Sequence, residues 1–466
     1  MHHISKNTKK VAYFILTAMV ILLAYVVYLQ AVRGYELSTH ALNKRSTQLS
    51  QRVARGNIQD KNGAVLASSE RTSDHTYVRH YPYGPIAAFI TGYYSAKLGK
   101  TAIESRYDGY LSGMVSPERH WGALSNLLAG SEGNTVWTTI DAGLQNEAYR
   151  ALGSHRGAVI VLDPRSGAIL AMVSKPGFDP NGIEKQWDTI SKAENGMLLN
   201  RVVQGLYPPG SIMKIVVAEA ALSNKVADLK TDFVCEGSLS IPPDYVLYES
   251  NHQVHGKLHL QEALAYSCNV TFGSLALKLG RTRMAKTFER YGFHRNLTEL
   301  DQGKSHLPEF QQLGDGDLAQ TGIGQGPLLV TPLHMVMATA AIANHGVTMK
   351  PYLVSKVTSP QQEIRFEHKN EVWAKVTTKD IAMQVNGMMV AAVEKGTASR
   401  ARISSVKVAG KTGTAENPHG ASHAWFVGFA PADDPRIAIA VIAENAGAGG
   451  TVATPIARQV ILQALK

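Results

Sequence analysis

Ser211 and Lys214 stand three residues apart in YPPGSIMKIVVAEAAL (Tyr207 to Leu222), at the start of an otherwise almost wholly apolar run. Pro208-Pro209-Gly210 cannot continue a helix backwards, so the helix is expected to open at Ser211. Helix positions three apart share a face, which brings the hydroxyl and the amine within reach of each other. A lysine in so apolar a helix must snorkel, find a partner or lose its proton cheaply. The last is what a general base needs, because a neutral amine takes the proton from a serine that is otherwise a weak nucleophile. The helix N-terminus adds a backbone amide and a positive dipole end where an oxyanion would form. On its own, however, the pair is better read as a helix cap beside a snorkelling lysine.

Two further elements change that balance. Ser267-Cys268-Asn269 falls where the helical run LQEALAY ends and VTFGSLALKL begins, so a serine and an amide sit on a short loop between helices. Lys411-Thr412-Gly413-Thr414 lies on an extended run, where Gly413 is expected to let a ligand backbone approach the strand. Ser-x-x-Lys, a Ser-x-Asn element and Lys-Thr-Gly, in that order, form the active-site set of serine acyl-transfer enzymes that react with β-lactams. Chance copies do not assemble into a second set. Ser404 to Lys407 has no Ser-x-Asn after it, and Ser5-Lys6-Asn7 precedes the chain's long apolar segment.

The elements that must position these residues divide the chain by texture. Residues 1–10 form a short basic tail, and 11–32, VAYFILTAMVILLAYVVYLQAV, carry no charge and are long enough to cross a ~30 Å hydrocarbon core. Lys6, Lys9 and Lys10 place the tail in the cytoplasm and the rest of the chain outside. The apolar run exceeds the roughly 7–15 residues of a signal peptide and no small-x-small cleavage site follows, which favours an uncleaved anchor. Residues 33–150 are polar and turn-rich, a pedestal whose Lys61-Asn62-Gly63 reads as a tight turn between extended arms. Residues 151–466 begin with the apolar strands GAVIVLD and AILAMVS, joined by Pro164-Arg165-Ser166-Gly167, and end with VKVAGKTGTA, HAWFVGFA and RIAIAVIA. Strands at both ends with helices between predict an α/β domain of the α+β type. Its central antiparallel sheet pairs first strand with last, helices cover its faces, and an all-helical subdomain lies between the motifs.

Composition narrows the function classes. With 466 residues and 44% apolar content the chain holds cores for two or three domains, which excludes disorder and fibre. The net charge of +10 is dispersed, without basic blocks or nucleic-acid motifs, and suits an anionic membrane or a polyanionic cell wall. Cys235 and Cys268 are too few for a disulfide framework, nothing near them spaces like a metal site, and a bridge between them is disfavoured. Cys268 reads as a packing residue, His252 and His255 as loop histidines without a third ligand, and His423 as structural.

Alongside the three motifs stand ARGNIQDKNGAVLA, GAVIVLDPRSGAILAMVSKPGFDPN, TGIGQGPLLVTPLHM, EKGTASRA and HAWFVGFAP. With these the chain resembles a class B penicillin-binding protein, a single-pass membrane-anchored peptidoglycan D,D-transpeptidase, from the anchor to the C-terminus. The resemblance implies a penicillin-binding transpeptidase domain on a dimerisation-type pedestal. It implies Ser211 as nucleophile, Lys214 as base, Ser267 as proton relay and Asn269 as orienter. Lys411, Thr412 and Thr414 would receive the terminal carboxylate, and the amides of Ser211 and Thr414 would form the oxyanion hole. It further implies D-Ala-D-Ala stem peptides and β-lactams as ligands, a polytopic membrane glycosyltransferase as partner, and neither cofactor, metal nor nucleic acid. Two departures stand out: Ile212-Met213 replaces the usual Thr-Phe before the base, and the pedestal is short. A β-lactamase would need a deacylating glutamate, for which Glu299 lacks the surrounding pattern; a D,D-carboxypeptidase would differ only in its acceptor. A β-lactam sensor would need a cytoplasmic transducer that the short tail does not supply.

Overall fold

A computed structural model describes residues 2–31, 53–114, 132–418 and 420–466. Val32 of the expected anchor, and residues 33–52 and 115–131 of the expected pedestal, lie outside the described residues. The first element, α1 (His2–Ala31), is one continuous helix that takes in the basic tail as well as the apolar run. Its stretch Asn7–Leu29 is the one helix among the described residues long and apolar enough to cross a membrane, and none of it is buried in the protein.

The pedestal is built on β1 (Ile58–Gln59), β2 (Val65–Arg71), β3 (Tyr77–His80) and β4 (Thr135–Thr138). The expected turn at Lys61-Asn62-Gly63 joins β1 to β2. Asp60 fastens it, its Oδ1 accepting from the backbone N–H groups of Asn62 and Ala64 at 2.8 and 2.7 Å. Two strands from far along the chain, Val354–Thr358 and Ile364–Glu367, complete this sheet beside β4, giving six strands in all. The pedestal sheet is thus shared between the two halves of the sequence.

The C-terminal half centres on β5 (Gly157–Leu162), β6 (Ile169–Lys175), β7 (Ala409–Ala415), β8 (His423–Ala430) and β9 (Ile437–Ala443). They form one antiparallel sheet in the order β7-β8-β9-β5-β6, so the first strand of the domain pairs with the last, as the sequence predicts. The helices that matter for the site and its cores are α2 (Ala142–Ala151), α3 (Lys214–Ser223), α4 (Leu260–Tyr266), α5 (Asn269–Arg290), α6 (Pro332–Ala343), α7 (Lys379–Lys395) and α8 (Ala453–Ala464), alongside further helices at Ile183–Ser191 and Asp315–Gly322. Alternate sheet residues serve two cores. Val159, Val161, Ile439 and Val441 pack with Leu144 of α2 and Val460 of α8, while Ile160, Trp425, Ala440 and Ile442 join α3 and α6. Because both faces are covered, β5 and β9 are buried along their whole length, which is why they read as unbroken apolar runs.

The region expected to be all-helical also carries two β-ribbons: Asp232–Cys235 with Gly256–His259, and Ser238–Ile241 with Tyr245–Tyr248. The first has a period-2 pattern, with Phe233 and Cys235 buried and Asp232 and Val234 exposed, too short to stand out among longer helical runs.

Candidate active site

The nucleophile candidate is set by the segment that enters α3. Tyr207 pairs through both backbone groups with Val330 (3.0 and 2.8 Å), and Gly210 donates to the carbonyl of Gly324 (2.8 Å). Gly210 has φ +57°, and a Cβ there would lie 2.9 Å from the Thr414 carbonyl, so only glycine fits. The chain then makes a 3₁₀ turn, Gly210–Met213, so the α-helix itself opens at Lys214, three residues later than expected, and Ser211 does not cap it with its side chain. Ser211 is part-exposed at this point, and no hydrogen bond among the described residues engages its hydroxyl.

Lys214, fully buried, points its amine at the Ser267–Asn269 turn. Its Nζ donates to the Ser267 carbonyl (2.5 Å) and to Asn269 Oδ1 (2.7 Å), and lies 3.3 Å from Ser267 Oγ. Lys411, equally buried on β7, donates to the same Oγ at 2.8 Å. The Ser267 hydroxyl therefore stands between two lysine amines. Ser267 itself is left-handed (φ 66°, ψ 37°) where α4 ends, a strained conformation for a residue with a side chain. The turn is held from both sides: Asn269 Nδ2 donates to the Tyr248 carbonyl (3.0 Å), and Cys268 accepts from the Thr271 N–H at the start of α5.

Of the remaining sequence-derived residues, Thr412 donates to Thr397 of EKGTASRA (2.7 Å), and Thr414 is exposed and accepts from the Gly449 N–H. A Cβ at Gly413 would meet Pro209 O, Trp425 and Ile212 at 3.0–3.1 Å, so the missing side chain makes room for the protein's own Pro209–Ile212 segment. Ile212 and Met213 are both fully buried, so the departure from Thr-Phe lies in the core and not in the cleft.

Burial is the main cause of the site's electrostatics. It pushes the Lys214 amine down to about 8, against the nearby Glu249 carboxylate, which works in the opposite direction. Lys411 is driven well below its ordinary value by burial and then by the charge of Lys214. Of the two amines Lys411 is thus the more strongly disfavoured cation, because no carboxylate raises it as Glu249 raises Lys214.

Glu249 is a residue that sequence reasoning missed. Its Oε1 accepts from the Val270 N–H (2.7 Å), Cys268 Sγ (3.0 Å) and Cys235 Sγ (3.5 Å). Among the described residues Cys235, Glu249 and Cys268 are a group whose donor atoms all lie within 4.8 Å of one another, close enough to hold a metal ion. The imidazole of His255 is 3.8 Å from Glu249 Oε2. Thiolate, carboxylate and imidazole are donor types that zinc takes. No local spacing announces this set, because Cys235 and Cys268 sit on a ribbon and a helix cap that only the fold brings together. Both thiols are free and buried, and burial with the adjacent carboxylate raises that of Cys268, in keeping with a packing role. His423 accepts from the Asn445 N–H and packs edge-on to Tyr207, a structural placement. Glu299 pairs with Lys350 (2.9 Å) on the wall of a cavity of about 700 Å³ between the pedestal and β6, away from the lysine pair.

Residues 157–462 match the penicillin binding protein transpeptidase domain, and residues 55–136 the penicillin binding protein A dimerisation domain. The chain is 32% identical to the peptidoglycan D,D-transpeptidase PbpA of Mycolicibacterium smegmatis, with 99% of each chain covered. It is 31% identical to the peptidoglycan D,D-transpeptidase MrdA of Acinetobacter baumannii, over 80% of this chain and 64% of that one. Penicillin-binding protein A from Mycobacterium tuberculosis, solved as a ceftriaxone acyl-enzyme complex, superposes with a TM-score of 0.84 at 30% identity, covering 90% of this chain and all of that one. The D,D-transpeptidase domain of a peptidoglycan glycosyltransferase from Eggerthella lenta gives 0.81 at 33% identity, covering 89% and 98%. With residues 157–462 matching the transpeptidase domain and a 32% identical relative aligned almost end to end, the chain belongs to the penicillin-binding protein transpeptidase family.

Proposed function

We propose that this protein is a peptidoglycan D,D-transpeptidase that works through an acyl-enzyme on Ser211 and is acylated there by β-lactams. The observation that carries this reading is the Ser267 hydroxyl set between the buried amines of Lys214 and Lys411, beside a serine at the mouth of α3. Neutral Lys214 takes the Ser211 proton as Oγ bonds to the penultimate D-alanine carbonyl carbon of a stem peptide. The backbone amides of Ser211 and Thr414 stabilise the oxyanion. As the C–N bond breaks, Ser267 passes a proton to the departing D-alanine amine, and the deprotonated hydroxyl is refilled from the lysine pair. Lys411, Thr412 and Thr414 receive the terminal carboxylate, and Asn269 holds Lys214 and the substrate backbone. An amine of a second stem peptide then attacks the ester carbonyl and releases Ser211, forming the cross-link.

The remaining assignments follow from the same reading. Residues 1–10 are cytoplasmic, 11–32 span the membrane, 33–150 form the pedestal and 151–466 the catalytic domain outside the cell membrane. The basic Lys6, Lys9 and Lys10 support that orientation. Glycan polymerisation falls to a polytopic membrane glycosyltransferase that contacts the anchor and pedestal.

Membranes bearing the full chain, treated with a fluorescent penicillin, are expected to show one long-lived labelled band that Ser211→Ala abolishes. Label that turns over within seconds would instead establish a β-lactamase. Label retained by Ser211→Ala would remove the serine from its role.

A further inference from the structure

We propose that Glu444 is a positioning residue for Ser211: from the end of β9 its carboxylate holds Tyr207, and with it the Tyr207–Gly210 segment that sets where the nucleophile stands. The inference rests on the acyl-transfer reading above and adds a residue that none of the three motifs contains.

The contacts are directional and mostly buried. Glu444 Oε1 accepts from the Tyr207 hydroxyl and from Arg201 Nε, both at 2.7 Å, and Oε2 lies 3.0 Å from Arg156 Nε. Arg201, 1% exposed, is committed on its other nitrogens to the carbonyls of Gly196 (2.9 Å) and Asn195 (2.7 Å). The Tyr207 ring stands edge-on to His423 and to Trp425, with centroids 5.6 and 6.0 Å away. Trp425 Nε1 in turn donates to the Pro208 carbonyl (3.1 Å). Side chains from β8 and from the end of β9 thus grip two successive residues of the segment, while Val330 and Gly324 grip its backbone.

A tyrosine ring packed edge-on to His423 and Trp425 would be held without an ionic partner. Buried ion pairs seldom add net stability over well-packed apolar groups, so stability alone does not account for a carboxylate here. What hydrogen bonds to a fixed carboxylate supply is direction: they set the Tyr207 ring and, four residues on, the hydroxyl of Ser211. Displacement of a reacting group by roughly 1 Å lowers rates about 100-fold.

The test uses the full chain in membranes, comparing wild type with Glu444→Gln, Tyr207→Phe and the double variant. Acylation by a fluorescent penicillin is followed over a range of concentrations, with the rate counted per labelled site, which separates the acylation rate constant from the affinity of the preceding complex. Each single variant is expected to lower the rate constant roughly 10- to 100-fold with affinity unchanged, and the double variant to be no slower than the slower single. Fewer labelled sites at an unchanged rate per site would mean that Glu444 only supports the fold, and would overturn the proposal. Independent, multiplying losses in the double variant would overturn it as well, since the two groups would not act through one bond. A wild-type chain that takes up no label would instead overturn the acyl-transfer reading, an outcome distinct from either.

Discussion

At the scale of single residues, the site is governed by what burial does to two amines. In the proposed mechanism Lys214 serves as base only when neutral, and a pKa of about 8 makes half of its population neutral near pH 8. Acylation by penicillin is therefore expected to rise with pH through about 8 and level off above it; a rate that is flat across this range would remove Lys214 from the role. Lys214→Ala is expected to abolish labelling while leaving the thermal transition in place. Glu249 raises the Lys214 pKa, so Glu249→Gln is expected to move the acidic limb of the same profile to lower pH, and a shift to higher pH would contradict the assignment. The candidate set of Ser211, Lys214, Ser267, Asn269 and Lys411, of which the structure joins the last four by hydrogen bonds, was legible because each lies in a short motif whose order is informative. Glu249 and Glu444 were not, since their contacts, with Cys268 and Val270 and with Tyr207, lie outside any local pattern.

At the scale of elements, glycine decides how the nucleophile segment approaches β7. Gly210→Ala would force a left-handed side chain against the Thr414 carbonyl, and about 1–3 kcal/mol of destabilisation is expected from that strain, together with slower acylation. A denaturant titration checks the first and penicillin labelling the second; an unchanged midpoint would show that the segment relaxes freely. The strands β5 and β9 and the helix α3 were readable because they are apolar on nearly every side, the signature of burial from all directions. The ribbons at 232–259 were not, because four-residue strands offer too few alternations to be told from loop.

At the scale of the molecule, the pedestal is tied to the catalytic half through the shared sheet and held internally by a buried ionic cluster. Glu104, 0% exposed, accepts from Arg55 Nη2 (2.7 Å) and Arg79 Nε (2.5 Å). Glu104→Ala would leave two buried guanidiniums short of a partner, with an expected loss of about 3–5 kcal/mol. Burial alone would raise the Glu104 pKa, but Arg79 and Arg55 outweigh it and hold it low. The unfolded chain therefore binds the proton more readily, and this contribution is lost as pH falls through the folded value. Thermal scans at neutral and acid pH check both statements: a Glu104→Ala melting temperature equal to wild type at neutral pH would refute them.

The sequence by itself determined the three motifs and their order, the apolar anchor, and a sheet whose first and last strands pair. Local chemistry carries these: turn residues, uninterrupted apolar runs and a lysine where no lysine is otherwise tolerated. Only the tertiary structure decided that Ser267 stands between two amines, that Gly413 makes room for Pro209 and Ile212, and that a hairpin from beyond residue 350 completes the pedestal. It also decided that Cys235, Glu249 and Cys268 meet. Those facts depend on contacts between residues tens to hundreds of positions apart, and such contacts exist only once packing has brought the strands and helices together.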